Sequence, residues 1–173
     1  VFSRLIERFP SSELAPDAAY RIGDSYFASG RFSQAVTAYQ TMIADYAGAE
    51  FSDRAAYQIG QAYFRIEDYA RANTAYDRVI SRYPQSELVD EAKNMKGMSL
   101  FKQERYNEAI AVFRTITKPS ELADDALYQI GTCYYNMGDY DRANEIYRRV
   151  INEFPDSDIV SEAITGMVES FMS

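Results

Sequence analysis

The sequence predicts an all-α protein in which antiparallel helix pairs stack as a solenoid. The stretch YRIGDSYF at Tyr20–Phe27 returns as YQIGQAYF at Tyr57–Phe64 and as YQIGTCYY at Tyr128–Tyr135, with a weaker copy, NMKGMSLF, at Asn94–Phe101. Apolar and small residues recur within each copy at spacings of three and four, which indicates one apolar face of a helix. Neither helix of a copy could bury its aromatic face alone, so we expect the copies to stack on one another.

The copies align on four glycines, which are separated by 37, 37 and 34 residues. An alanine stands twelve residues after each glycine, and aromatic residues stand nine and sixteen after it. We predict that the glycines and alanines let the two helices of a pair approach closely, which outweighs the cost of about 1 kcal/mol that glycine carries in a helix. The residues are Gly23, Gly60, Gly97 and Gly131; Ala35, Ala72, Ala109 and Ala143; and Tyr39, Tyr76, Phe113 and Tyr147.

In chain order, this register predicts a single solenoid over residues 1–173. Its full repeats are 12–46, 49–83, 86–117 and 120–154, and the third is shorter because three residues are lost around Pro119. Residues 1–9 are predicted to be the second helix of a partial repeat, so the chain is expected to be a fragment. Residues 157–173 are predicted to be a partial or terminal repeat, in which Val168 takes the glycine position and Gly166 lies two residues out of register.

Three kinds of residue mark the predicted helix boundaries. The serine that follows the proline between repeats is expected to be the N-cap of each first helix, with an acidic residue behind it that suits the helix dipole. Gly30 and Gly138 mark the turn between the two helices, because glycine adopts the left-handed conformation at little cost. Glu67 and Glu104 hold that position in the other copies, so there the turn is either built differently or strained.

These residues resemble the tetratricopeptide repeat (TPR), whose pattern is W-x2-L-G-x2-Y, then A-x3-F, then P. The first copy reads Ile22-Gly23-x-x-Tyr26 and then Ala35-x3-Tyr39. The resemblance implies a right-handed superhelix whose first helices line a concave groove. The 37-residue units with YP-x-S or FP-x-S are also similar to bacterial cell-envelope repeats, namely outer-membrane-assembly lipoproteins of the BamD type and Tol-Pal coordinators of the YbgF type. That likeness favours a periplasmic scaffold, with the cytoplasm as the alternative.

The TPR resemblance also implies which positions contact a partner in the groove. The aromatic members supply large contact areas with few rotatable bonds, which suits recognition of a peptide or helix. The phenylalanines at 27, 64 and 101 are equally well explained by packing between repeats, whereas the tyrosines at 20, 57 and 128 have hydroxyls that favour a wet surface. The predicted groove residues are Tyr20, Asp24, Phe27, Tyr57, Gln61, Phe64, Arg65, Asn94, Met98, Phe101, Lys102, Tyr128, Thr132 and Tyr135.

Composition argues against several other classes of function. A net charge of −8 disfavours binding to nucleic acid or to an anionic membrane surface. No apolar run reaches the roughly 18 residues of a membrane span, so no membrane insertion is expected. Histidine is absent, which removes Ser-His and Cys-His catalysis and His-based metal sites. We therefore predict no catalytic residues, no metal and no cofactor, and we interpret the single cysteine, Cys133, as a small buried residue.

Three functions remain compatible with the sequence. The leading one is a non-catalytic interaction module that binds a protein segment in its groove. The second is an assembly element that packs on other parts of its own chain, with the groove idle. The third is an enzyme, for which the repeat alignment offers no convergent set of titratable groups. The apolar residues of the terminal helix also predict an uncovered face and end-to-end self-association; they are Ile164, Met167, Val168 and Phe171.

Overall fold

A computed structural model describes residues 2–172, and those residues form ten α-helices and no strand. The predicted all-α class is therefore confirmed. The helices are α1 (Phe2–Arg8), α2 (Ala15–Ala28), α3 (Phe32–Asp45), α4 (Ser52–Arg65), α5 (Tyr69–Arg82), α6 (Val89–Lys102), α7 (Tyr106–Phe113), α8 (Ala123–Asn136), α9 (Tyr140–Glu153) and α10 (Val160–Met172).

The chain divides into two compact units, residues 1–92 and 93–173, with the boundary inside α6. In unit 1, each helix from α1 to α5 packs against the next helix along the chain. In unit 2, the helices from α7 to α10 do the same. The prediction of one solenoid over 1–173, with its repeat boundaries, stays a prediction.

Consecutive helices pair as antiparallel hairpins, as ring contacts along α2 and α3 illustrate. Next to the turn, the rings of Phe27 and Phe32 lie 5.2 Å apart, and at the far end those of Tyr20 and Tyr39 lie 5.6 Å apart. Residues early in α2 therefore meet residues late in α3. The same order of contacts holds in α4–α5 and in α8–α9.

The recurring glycines seat aromatic rings, which corrects part of the prediction. A Cβ at Gly23 would lie 2.3 Å from a ring carbon of Tyr39, closer than any real Cβ contact. The alanines are fully buried as expected, but the group that each glycine accommodates is the ring sixteen residues later. The equivalent distances are 2.5 Å for Gly60 and Tyr76, 2.4 Å for Gly97 and Phe113, and 2.6 Å for Gly131 and Tyr147.

The predicted serine N-caps are wrong by two residues. Helix α2 begins at Ala15 after Leu14, which makes no side-chain cap bond. Ser12 lies further upstream, where its hydroxyl oxygen accepts a hydrogen bond from the Leu14 backbone N–H at 3.2 Å. The serine thus stabilises a tight turn that precedes the helix. The turns at Ser86, Ser120 and Ser157 are built the same way.

The hairpin turns keep one backbone conformation whichever residue they carry. Gly30 and Gly138 have φ angles of 73° and 76°, and Glu67 and Glu104 have φ angles of 61° and 59°. Of the two alternatives left open for the glutamates, the strained one is therefore correct. A non-glycine residue in the left-handed region costs about 1–2 kcal/mol.

The shorter glycine spacing appears in the structure as a truncated second helix. Helix α7 has 8 residues, whereas α3, α5 and α9 have 14 each. Residues 114–122 continue as turns instead of the last helical turns. On α10, Ile164, Val168 and Phe171 are exposed as predicted, but Met167 is partly buried against the core of unit 2.

Candidate functional site

The predicted groove residues lie on the first helices of the hairpins, at spacings of three and four that keep them on one face of each helix. In unit 1 they come from α2 and α4, and in unit 2 from α6 and α8. Each unit therefore presents its own set of groove positions. In the structure these side chains fall into three groups: some are covered by neighbouring rings, some contact core residues, and some are exposed to solvent.

Tyr20 is covered. It is only 9% exposed, and its ring stacks on Phe51 with 5.5 Å between centroids and 23° between planes. Burial also raises the pKa of the Tyr20 hydroxyl. The prediction that the hydroxyl at this position faces solvent is therefore wrong for Tyr20, because most of its side-chain surface is buried by packing.

Tyr57, the equivalent residue of α4, stays partly open. Its hydroxyl oxygen accepts a 2.7 Å hydrogen bond from the Gln61 side-chain amide. Burial raises the pKa of Tyr57, while that hydrogen bond lowers it. Phe64 is likewise half-buried and Arg65 is exposed at the end of the helix. This part of unit 1 thus offers an aromatic and polar surface.

In the first and fourth repeats, the residue directly after the recurring glycine contacts the hydroxyl of the ring that the glycine seats. Asp24 accepts a 2.7 Å hydrogen bond from the hydroxyl of Tyr39, and Thr132 lies 3.5 Å from the hydroxyl of Tyr147. In the third repeat the ring is that of Phe113, which has no hydroxyl, and the position after the glycine is the apolar Met98. Polar residues here therefore have a structural task beside any role in binding.

The aromatic residues near the hairpin turns pack within their own repeat. Phe64 meets Tyr69 edge to face at 5.3 Å, across the turn from α4 to α5. These residues are partly buried, so a part of each remains exposed to solvent. Their packing partner is the first residue of the second helix and belongs to the same repeat. The other three pairs are Phe27–Phe32, Phe101–Tyr106 and Tyr135–Tyr140.

In unit 2, three predicted residues converge on a cavity of about 420 Å³ between α8 and α10. Tyr128, Thr132 and Tyr135 line its α8 side. Glu162 and Glu169 stand among the residues of the α10 side. We call this space the groove cavity. The remaining predicted residues of unit 2 lie on α6, where Asn94, Met98 and Phe101 are half-buried and Lys102 is exposed.

The α10 side of the groove cavity depends on Gly166, a glycine that does not fall in the register of the other repeat glycines. A Cβ at Gly166 would lie 2.8 Å from Cε2 of Tyr147, whose other edge faces Gly131. Gly166 is buried and lets α10 approach this ring closely. A glycine within a predicted helix was the sequence signal for this close contact. It was missed because Gly166 contacts the preceding repeat, so its position does not follow the spacing of the other repeat glycines.

The groove cavity combines three tyrosine rings, those of Tyr128, Tyr135 and Tyr147, with acidic and hydroxyl groups. Glu162 accepts a 2.8 Å hydrogen bond from the Ser161 hydroxyl at its mouth. Burial raises the pKa of Tyr147 to about 12; the nearby Tyr128 and Glu169 add to this rise, and a hydrogen bond with Thr132 opposes it. The phenol therefore stays neutral at physiological pH, and the carboxylates dominate the charge of the site.

Two titratable groups outside the groove cavity, Cys133 and Asp125, have shifted pKa values. Cys133 is fully buried, and burial raises the pKa of its thiol to about 12, which fits the interpretation as a small core residue. Burial, reinforced by Asp124, raises the pKa of the Asp125 carboxyl. Asp124 itself accepts a 2.5 Å hydrogen bond from the Ser157 hydroxyl and so links two successive repeats.

The helices and acidic side chains of residues 2–172 bear on membrane insertion and metal binding. None of the helices there has the length and apolar content to cross a bilayer. Within the same residues, His, Cys, Asp and Glu side chains form no group of three or more that could hold a metal ion.

Two family models match the chain. The model named YfiO, described as an outer membrane lipoprotein, matches residues 15–118. A tetratricopeptide repeat model matches residues 125–157. Together they confirm the resemblance to TPR proteins and to outer membrane lipoproteins. A comparison with curated proteins gave no significant match.

Solved structures of MamA share the fold. The structure titled MamA 41-end from Desulfovibrio magneticus RS-1 superposes with a TM-score of 0.70 at 18% identity, covering 91% of this chain and 85% of that one. The RS-1 ArsTM double mutant of MamA gives 0.67 at 19% identity, with 91% and 94% covered. Another MamA crystal structure gives 0.64 at 20% identity, with 87% and 93% covered. At these identities the likeness supports the fold alone.

Proposed function

The chain belongs to the YfiO family of outer membrane lipoproteins and carries a tetratricopeptide repeat, and from that premise we propose that it is a non-catalytic scaffold which binds a segment of a partner protein. The family matches support an interaction scaffold and point to the bacterial cell envelope. We place its work in the periplasm, and we assign the binding to the groove faces of the first helices.

The groove cavity of unit 2 is the observation that carries this proposal. At about 420 Å³ it has room for one or two partner side chains, and half-buried tyrosine rings form one wall. Such rings contribute contact area at little conformational cost, and their hydroxyls tolerate water at the rim. An apolar partner side chain can therefore pack against Tyr128 and Tyr135.

The opposite wall suggests the charge of the partner. Glu162 and Glu169 are exposed residues that line the cavity from α10. Carboxylates beside aromatic rings attract lysine and arginine side chains, through ion pairing and through the ring faces. We therefore assign to the groove cavity a segment that combines an apolar residue with a neighbouring basic one.

Charge reversal on α10 tests this assignment. A Glu162→Lys, Glu169→Lys double variant would be compared with wild type in capture of partners from a lysate of the source organism, followed by mass spectrometry. The matched control is Asp141→Lys, Glu145→Lys, which makes the same change in net charge at exposed sites on α9 that do not line the cavity. Circular dichroism would first confirm that both variants stay folded.

We expect partners that are retained by wild type and control but lost by the α10 variant. Partners retained by all three proteins would overturn the assignment to the groove cavity. A further variant, Tyr57→Ala with Phe64→Ala, asks whether the half-buried rings of unit 1 take part. A loss confined to that variant would move the binding site to unit 1.

An assembly role is the second candidate, because α10 exposes a set of large apolar side chains. Phe171 is 70% exposed, and Ile164 and Val168 are each about half exposed. Apolar surface of this kind at the end of a repeat array favours burial by another helix. Under this alternative the chain associates through α10 while its groove stays empty, and sedimentation equilibrium would detect association.

A further inference from the structure

Unit 2 contains a second cavity, of about 310 Å³, that belongs to none of the predicted groove positions. It lies where residues 114–118, α8 and the end of α9 come together. Leu127 and Ile130 reach it from α8, on a different face of that helix from Tyr128 and Tyr135. We call it the basic pocket.

The floor of the basic pocket is apolar. Ile116, Leu127, Ile130 and Ile146 line it, and each is less than a tenth exposed. The rim is charged, because Arg114, Lys118 and Arg149 line the pocket and are exposed, together with one carboxylate, that of Glu153. Three cations against one anion give a local positive charge in a chain whose net charge is −8.

Existing bonds hold the three cations in place. The Arg114 guanidinium donates a 3.0 Å hydrogen bond to the Tyr134 hydroxyl, and the Arg149 guanidinium donates one of 2.9 Å to the Glu153 carboxylate. The Lys118 ammonium donates to the Glu153 backbone carbonyl at 2.9 Å. Because a guanidinium has five N–H donors and an ammonium three, donors remain for a ligand.

The truncation of α7 accounts for how this pocket is built. Where α3, α5 and α9 continue for 14 residues, α7 ends at Phe113, and the following segment supplies Ile116 and Lys118 to the pocket. Unit 1 has a smaller cavity of about 190 Å³ at equivalent repeat positions, where Gln40 replaces Arg114 and Ala56 replaces Leu127. The third repeat has thus enlarged a recurring crevice and added cations to it.

We propose that the basic pocket binds an acidic segment of a partner protein, with one aromatic or aliphatic side chain in the floor and an adjacent carboxylate on the rim. Planar guanidinium groups suit a carboxylate because they can offer it two parallel N–H donors. The volume lies at the lower end of ligand pockets, about 300–1,000 Å³, and accommodates one large side chain better than a long acyl chain. The pocket prefers the opposite charge from the groove cavity, so the two sites take different ligands.

Titrations followed by nuclear magnetic resonance test this proposal with defined probes. The main probe is a heptapeptide, blocked at both ends, with a central Phe-Glu; the comparison peptides carry Phe-Gln or Ala-Glu. We expect the Phe-Glu peptide to shift the amide signals of Ile116, Ile130 and Ile146 at millimolar concentration. The Phe-Gln peptide lacks the rim charge and should bind up to about fivefold more weakly. The Ala-Glu peptide lacks the floor contact and should bind at least about tenfold more weakly.

Variants at the rim provide the matched comparison. Lys118→Gln with Arg149→Gln should weaken the Phe-Glu peptide about fivefold or more and leave the Phe-Gln peptide unchanged. Arg148→Gln is the control, because Arg148 is an exposed neighbour on α9 that does not line the pocket. Circular dichroism would verify the fold of each variant.

Five results would overturn the proposal. Three of them are equal binding of the Phe-Glu and Phe-Gln peptides, equal weakening by Arg148→Gln, and the absence of any signal change at millimolar peptide. The other two indicate a different occupant. Shifts caused by decanoate and not by the peptides would make the ligand a lipid, and shifts caused by changing the protein concentration alone would make it a second copy of the chain.

Discussion

Replacing Gly131 with alanine should destabilise unit 2, although alanine is the better helix former. A Cβ at this position would lie 2.6 Å from Cε1 and 2.7 Å from Cδ1 of Tyr147, whereas carbon atoms pack best at about 3.5–4.0 Å. The ring would have to retreat by nearly 1 Å. Its opposite edge already abuts α10 at Gly166, where an added Cβ would lie 2.8 Å away.

Two opposing contributions set the expected magnitude. Overpacking a core site costs about 1–3 kcal/mol, and replacing glycine with alanine inside a helix returns about 1 kcal/mol. The free energy of unfolding should therefore fall by up to about 2 kcal/mol. Helix propensity alone predicts a rise, so the sign of the change separates the two explanations.

Urea unfolding, followed by far-ultraviolet circular dichroism, would measure this change. The control is the same glycine substitution in a Tyr147→Leu background, where the smaller side chain makes room and the alanine should be neutral or stabilising. The two substitutions should therefore couple by about 1 kcal/mol or more, well above the 0.3–0.5 kcal/mol of independent sites. A more stable Gly131→Ala protein, or additive effects, would refute the idea that glycine is needed to seat the ring.

Three further predictions follow from the fold. Glu67→Gly should raise the free energy of unfolding by about 0.5–1 kcal/mol, because Glu67 has a φ of 61°; urea unfolding measures it, with Glu67→Ala as a control that keeps the strain. The pKa of Tyr147 is raised from 10.0 to about 12, so the stability that its neutral form contributes is complete below pH 10 and is lost between pH 10 and 12. Tyr147→Phe should therefore reduce the fall in the free energy of unfolding over this pH range by up to about 3 kcal/mol, as measured by urea denaturation at successive pH values. Ile164→Glu with Phe171→Glu should abolish self-association in sedimentation equilibrium, because both side chains are exposed on α10.

Each of these predictions has a contrary outcome. Equal gains from Glu67→Gly and Glu67→Ala would mean that backbone strain does not limit stability at that turn. An unchanged alkaline profile in Tyr147→Phe would mean that other groups control the loss. A wild-type protein that stays monomeric at high concentration would remove the basis for association through α10.

Much of the architecture could be predicted from the sequence because each repeat carries the same pattern of apolar, small and aromatic residues. The apolar spacing specifies helices, and four glycines in one register specify hairpins. The predicted roles of single residues failed where a residue contacts a different partner from the one that the repeat pattern indicates. Gly166 packs against the preceding repeat, so its position does not follow the spacing of the other glycines. Ser12 stabilises a turn because its hydroxyl reaches the Leu14 amide before the helix begins.

The candidate sites were predictable only in part, since helical spacing gives the face of a residue and not its exposure. Tyr20 and Tyr57 hold equivalent positions, yet Phe51 stacks on Tyr20 and buries it, while Tyr57 stays partly open. The wall of the groove cavity on α10 also went unpredicted. It depends on how closely that helix approaches Tyr147, which is a property of packing between repeats.

The sequence by itself determined the helical class, the hairpins and the TPR-like pattern, because local periodicity and recurring small residues are written along the chain. Only the tertiary structure decided which aromatic rings are covered, where the groove cavity opens and how a truncated α7 contributes to the basic pocket. Those features arise between helices that are distant in sequence. Burial and charge there are set by the neighbours that folding brings together, and no single repeat contains that information.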